Sequence, residues 1–256
     1  MTKGISKSES KLMTDYMNEL LKVNEKINLT RITNPDSAYL LHILDSLAIL
    51  KDVDDAPEGR YIDLGSGGGF PGVPIAIASH RDTILIDSVK KKMNAVDGIL
   101  SKLGIEGIST VGERIEDYSK SNQNEFSVVS ARAVSSMAAL LELAAPLMCK
   151  GGRLILMKSR KDEDFDEEKA LGILGLRKLY SRDYDLETLS LNLVDADFGG
   201  IEGSEALRPD VMDAKEDRDD DIYRCIHVFE KVGPHRDGLP RRVGMAQKRP
   251  LVRASD

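Results

Sequence analysis

Apolar positions between Ser8 and Lys26 recur every three or four residues, at Leu12, Tyr16, Leu20 and Val23, and predict an amphipathic helix. After the loop Asn28-Leu29-Thr30-Arg31, the start signal Asn34-Pro35-Asp36 opens a strongly apolar helix from Tyr39 to Leu50, which carries His42 and Asp45. Asp52 to Gly59 reads as a polar linker. From there short apolar runs alternate with helical patterns. Strands are predicted at Arg60–Leu64, Thr83–Asp87, Gly107–Val111, Phe126–Ser130 and Gly151–Met157. Helices are predicted at Gly72–Ser79, Lys90–Leu103, Ser135–Pro146 and, with many charges, Lys161–Lys169. Such alternation makes a parallel sheet covered on both faces, an α/β fold. Two late runs, Lys178–Tyr184 and Ile222–Lys231, are expected to close the sheet as an antiparallel edge pair. The expected organisation is a helical extension over 1–58, an α/β domain over 59–232 and a C-terminal tail over 233–256.

The first strand ends in Asp63-Leu64-Gly65-Ser66-Gly67-Gly68-Gly69-Phe70-Pro71-Gly72. The second ends in Asp87, about the distance beyond the loop at which a βαβ nucleotide-binding unit places a ribose-binding acid. Glycine lets backbone approach a ligand where a Cβ would collide. Gly65, Gly67 and Gly69 follow G-x-G-x-G, and Phe70 stands where the third glycine of a dinucleotide fingerprint belongs. The loop therefore suits a ligand without a pyrophosphate. S-adenosylmethionine is such a ligand, its sulfonium is positive, and Asp63 at the loop entrance is an acid that would suit it. Gly65, Gly67 and Asp87 are the first candidate cofactor residues.

Composition narrows the setting. No apolar run in the 256 residues approaches a membrane span, and the first ten residues lack the apolar core of a signal peptide, so a cytoplasmic protein is expected. Cys149 and Cys225 are far apart and read as free thiols; the four histidines are isolated, and no metal is expected. The net charge of −7 argues against blanket nucleic-acid binding. The segment from Gly233 onward is nevertheless basic, with Arg236, Arg241, Arg242, Lys248, Arg249 and Arg253 against Asp237 and Asp256, while Asp213–Asp221 is acidic. A local basic patch on an acidic protein can carry phosphate contacts.

Four blocks resemble the glucose-inhibited division protein B family, bacterial methyltransferases that act on a guanine N7 of small-subunit ribosomal RNA. They are Asn28-Leu29-Thr30, His42-Ile43-Leu44-Asp45-Ser46, the loop from Asp63 to Gly72, and Ser130-Ala131-Arg132-Ala133. The resemblance spans roughly residues 22–158, with an echo in Gly238–Gly244. It implies a class I S-adenosylmethionine-dependent methyltransferase fold with a mixed seven-stranded sheet. It also implies cofactor contacts at Gly65, Phe70, Ile115, Glu116 and Arg132. The family's glycine after strand five is Ser159 here, and Gly199–Asp221 is longer and more acidic than the family pattern.

Guanine N7 has a lone pair and no proton, so its methylation needs no general base, and no catalytic residue stands out. Arg132 has three roles open to it: the cofactor's carboxylate, an RNA phosphate, or an ordinary salt bridge. His42 and Asp45 share a helix face, where a structural role outweighs a catalytic one. Asn28, Arg31, His42, Lys158, Arg241 and Arg242 are the candidate RNA-facing residues, and Lys90, Lys91 and Lys92 open a helix where cations oppose its dipole. The expected partner is small-subunit ribosomal RNA, free or in its particle, and the chain is expected to act as a monomer. One alternative is a class I methyltransferase for a protein or small molecule. Another is a nucleotide-binding regulatory protein or a dehydrogenase, and Phe70 argues against the dehydrogenase.

Overall fold

A computed structural model describes residues 4–132, 135–159, 165–186 and 223–252. Seven strands form one sheet in the order β3-β2-β1-β4-β5-β7-β6. They are β1 (Arg60–Leu64), β2 (Thr83–Ile86), β3 (Ile108–Val111), β4 (Phe126–Arg132), β5 (Met148–Ser159), β6 (Leu176–Asp185) and β7 (Tyr223–Lys231). Strands β1 to β5 pair in parallel, and β7 runs antiparallel between β5 and β6. The strand order reverses between β1 and β4, where open α/β sheets hold their ligands at the carboxyl edge.

One sheet face packs on α1 (Lys7–Asn24), the helical turns that follow it, α5 (Gly72–Ser79) and α6 (Lys90–Leu103). The turns are α2 (Pro35–Ala38), a π-helical turn at Tyr39–Leu44, α3 (Asp45–Leu47) and α4 (Leu50–Asp54). Two expectations are corrected here. The apolar helix of Tyr39–Leu50 is broken into a π turn and a short α turn, and part of the supposed polar linker is helix α4. Asp52 in α4 is buried because Tyr180 Oη donates to Oδ1 at 2.5 Å and Arg182 to Oδ2 at 2.7 Å. Helix α1 starts in a capping box: Ser6 Oγ accepts from Glu9 N, and the Glu9 carboxylate accepts from Ser6 N.

The other face packs on α7 (Ile115–Ser119), α8 (Met137–Ala144) and α9 (Glu167–Leu174). Helix α9 begins later than the charged helix expected at Lys161–Lys169, and residues 160–164 and the acidic 199–221 segment lie outside the described residues. The basic segment after β7 is no loose tail. It runs back along this face, buries Leu239, Ala246 and Val252, and contains a short helix α10 (Met245–Lys248). We refer to residues 238–252 as the strap.

Candidate functional site

The glycine loop is held open by its own backbone. Gly65 N and Ser66 N both donate to Ile86 O, at 2.8 and 3.0 Å, which carries the chain across the end of β2. Gly69 sits at φ +87°, and a Cβ there would stand 2.5 Å from Tyr16 Oη. That hydroxyl donates to Gly68 O at 2.9 Å and pins the loop to α1. Gly67 N donates to Asp87 Oδ2 at 3.1 Å, and Val89 N to Oδ1 at 2.8 Å. The Asp87 carboxylate is therefore fixed in place while keeping acceptor capacity on each oxygen.

A cleft of about 640 Å³ opens at the carboxyl edge of β1 to β4. Gly65, Asp87, Ile115, Glu116 and Arg132 line it together with residues of the strap. Gly67 acts from beneath by holding Asp87. Phe70 is buried and lies under the loop, stacked on the His42 ring with centroids 4.6 Å apart. The fit to an adenosyl ligand rests on two features. A half-exposed, oriented carboxylate with acceptor capacity left over, as a ribose diol requires, opens on the cleft, and the loop beside it presents glycine rather than side chain.

Asp63 is a correction. It is fully buried, accepts from Ser130 Oγ at 2.6 Å and from Gly72 N at 3.1 Å, and does not line the cleft. Burial pushes its carboxyl up to about 6 against those hydrogen bonds. It clamps the start of α5 onto β1. A Cβ on Gly72 would collide with Leu85 Cδ2, so the closing glycine is there for packing.

Arg132 leaves the end of β4 toward the N-terminal turns. Its guanidinium donates to Asp45 Oδ2 at 2.7 Å and Leu41 O at 3.0 Å, lies 3.1 Å from His42 Nδ1, and stands over the Phe70 ring. Asp45 is fully buried and also takes Tyr184 Oη at 2.7 Å and the Arg224 guanidinium at 3.2 Å. Arginine can only donate, so His42 Nδ1 is the acceptor and Nε2 carries the proton toward Thr30 Oγ1, 2.7 Å away. Burial and the neighbouring Arg132 charge hold the imidazole neutral, down to about 3. His42 and Asp45 thus meet through Arg132.

The family whose description is rRNA small subunit methyltransferase G (GidB) matches residues 9–180. The chain belongs to this family. A ribosomal RNA small subunit methyltransferase G of Listeria monocytogenes is 37% identical over 180 residues, covering 68% of this chain and 76% of the relative. One from Desulfitobacterium hafniense is 31% identical over 242 residues, covering 93% and 87%. The fold is that of class I methyltransferases. A Haemonchus contortus phospholethanolamine N-methyltransferase 2 in complex with S-adenosylhomocysteine superposes with a TM-score of 0.51 at 12% identity, covering 84% of this chain and 61% of that one.

The residues expected to face RNA are dispersed. Asn28 and Arg31 are exposed in the loop after α1, which buried Asn24 organises by accepting from Leu29 N and Thr30 N. Lys158, at the end of β5, donates to Ser135 O at 2.6 Å. Arg242 is exposed, but Arg241 is not an open surface charge. It grips both carboxylate oxygens of buried Glu142 at 2.6 Å and also donates to Arg249 O. Lys90 and Lys91 are exposed on α6. Glu116, expected beside the cofactor, is buried, and its Oε1 accepts from Gly244 N of the strap at 2.7 Å. Asn24, Glu142 and the strap are the features that motif reading missed. Each works through a partner distant in sequence or through backbone. Among the described residues no helix is long and apolar enough to cross a membrane.

Proposed function

We propose that this chain is an S-adenosylmethionine-dependent methyltransferase that modifies N7 of a guanine in small-subunit ribosomal RNA. The observation that carries the proposal is family membership over residues 9–180 joined to a cleft with a fixed carboxylate, Asp87, at the switch point of the sheet. When bound, S-adenosylmethionine supplies an electrophilic methyl group, whose bond to sulfur breaks as the N7 lone pair attacks and whose positive charge passes to the purine. Asp87 accepts hydrogen bonds from the ribose hydroxyls. Gly65 and Gly67 let the ligand lie against backbone. Ile115 gives an apolar contact to the adenine, and buried Glu116 supports that end of the cleft from behind. Phe70 supports the loop from beneath.

Arg132 has five N–H donors, and Asp45, Leu41 and His42 account for three. The other two are proposed to donate to an anion, the methionine carboxylate of the cofactor. No residue needs to remove a proton. His42, with both ring nitrogens engaged, supports this reading, since it is not free to act as a base. Catalysis then rests on proximity and alignment. Asn28, Arg31, Lys158 and Arg242 are proposed to meet the RNA, with Arg241 acting indirectly by holding the strap. The chain works as a cytoplasmic monomer in this reading.

Mass-spectrometric nucleoside analysis of small-subunit ribosomal RNA, from cells with and without the chain, tests the function. Loss of 7-methylguanosine on deletion, and its return on re-expression, is expected. An unchanged 7-methylguanosine content would overturn the proposal.

A further inference from the structure

The cleft has a wall that the βαβ unit does not supply. Val243, Gly244, Gln247 and Lys248, all from the strap, line it together with Gly65 and Asp87. The strap's position is set by two carboxylates that are themselves buried. Glu142 takes the Arg241 guanidinium and, at 3.3 Å, Leu251 N. Glu116 takes Gly244 N. The second bond decides which end of the cleft the strap covers. Glu116 follows Ile115 just after β3, two strands along the sheet from β1, which leads into Gly65, and three from β4, which ends in Arg132. Val243, one residue before Gly244, is 45% exposed, although a valine gains by burial and the strap buries three other apolar side chains nearby.

We propose that the strap is the adenine-side wall of the cofactor site, with Val243 as the apolar cover of the purine. This rests on the cofactor reading above. The Glu116 carboxylate then serves the cofactor by holding the segment that covers it. The coupling is reciprocal: a ligand that packs on Val243 also stabilises the strap. Binding should therefore slow tryptic cleavage after the exposed Arg242.

Calorimetry with two ligands tests the assignment. S-adenosylhomocysteine has both the adenosine and the amino-acid end, whereas methylthioadenosine keeps only the former. Val243→Ser should weaken both by the same factor, roughly fivefold, with the melting temperature unchanged because no core atom is uncovered. Val243→Ile should retain the parent's affinity for both. Arg241→Gln, which loosens the strap, should weaken both ligands as well. Val243→Ser binding both ligands as tightly as the parent would overturn the strap's role and leave the cofactor reading standing. Weakening of S-adenosylhomocysteine alone would also overturn it, because Val243 would then serve the amino-acid end. A parent chain that binds neither ligand would overturn the cofactor reading, and the strap proposal with it.

Discussion

The N-terminal turns hold the cleft residue Arg132, and the C-terminal strap lines the cleft itself; each is fastened by a buried carboxylate gripped by arginine, and they differ in everything else that holds them. Asp45 joins Arg132 from β4, Arg224 from β7 and Tyr184 from β6. Met13, Tyr16, Leu20, Ile43, Leu44 and Ile49 from the same N-terminal region are buried in one core with the sheet. The strap has Glu142 with Arg241, the Glu116–Gly244 bond, and Leu239, Ala246 and Val252. Apolar burial scales with area, so the N-terminal side is fastened many times over. The strap depends on a few polar contacts. One border of the cleft is part of the fold; the other can respond to what the cleft contains.

Breaking the two carboxylates separately should expose this difference. Asp45→Ala leaves the Arg132 and Arg224 charges unpaired in the interior and should cost the whole protein about 3–5 kcal/mol in urea unfolding. A loss under about 1 kcal/mol would show that the N-terminal side does not depend on this node. Glu142→Gln should cost about 2 kcal/mol, because Arg241 is partly exposed, and the loss should be local. Amide exchange should rise at Lys248 and Arg249, whose N–H groups bond to Gly244 O and Met245 O within the strap, while the sheet stays protected. Uniform deprotection of the sheet would mean that the strap is as integral as the N-terminal side.

Asp87→Ala touches neither border. It should weaken S-adenosylhomocysteine by about 1–3 kcal/mol in calorimetry, by stranding hydroxyls without an acceptor. Unchanged affinity would remove Asp87 from the site.

The smallest effect separates the N-terminal node by pH. His42 is held down to about 3 in the fold against 6.5 when free. The unfolded chain therefore binds a proton first as pH falls, and the stability this group contributes is present above pH 6.5 and lost below it. Asp63, raised to about 6, runs the opposite way, since its protonated form is the one the fold favours. Comparing the parent with His42→Gln cancels the Asp63 effect. Between pH 7 and 5.5 the parent should lose about 1 kcal/mol relative to the variant. Parallel stability curves would show that His42 titrates normally.

The sequence carries one border of the cleft far better than the other. Strand β1 and helices α5 and α6 end where the pattern ends them, because sheet strands buried on both faces read as apolar runs and Gly104 stops α6 in the left-handed region. Asp63 and Asp87 look alike in sequence, each an acid closing a strand. Only the folded chain separates them, since Gly72 N and Ser130 Oγ claim the first and the cleft opens on the second. The strap reads as a basic tail because Glu142, which neutralises Arg241, lies 99 residues away and inside an apolar helix. The π turn at Tyr39–Leu44 leaves no mark in the apolar spacing.

A methyl-transfer measurement tests the assigned reaction most directly. Small ribosomal subunits from a strain lacking the chain, and the free RNA extracted from them, are incubated with the purified protein and methyl-labelled S-adenosylmethionine, then digested to nucleosides. Label is expected in 7-methylguanosine of the small-subunit RNA, in at least one of the two substrates, with the signal reduced by Asp87→Ala. Label in another nucleoside, in protein, or in neither substrate would contradict the assigned reaction.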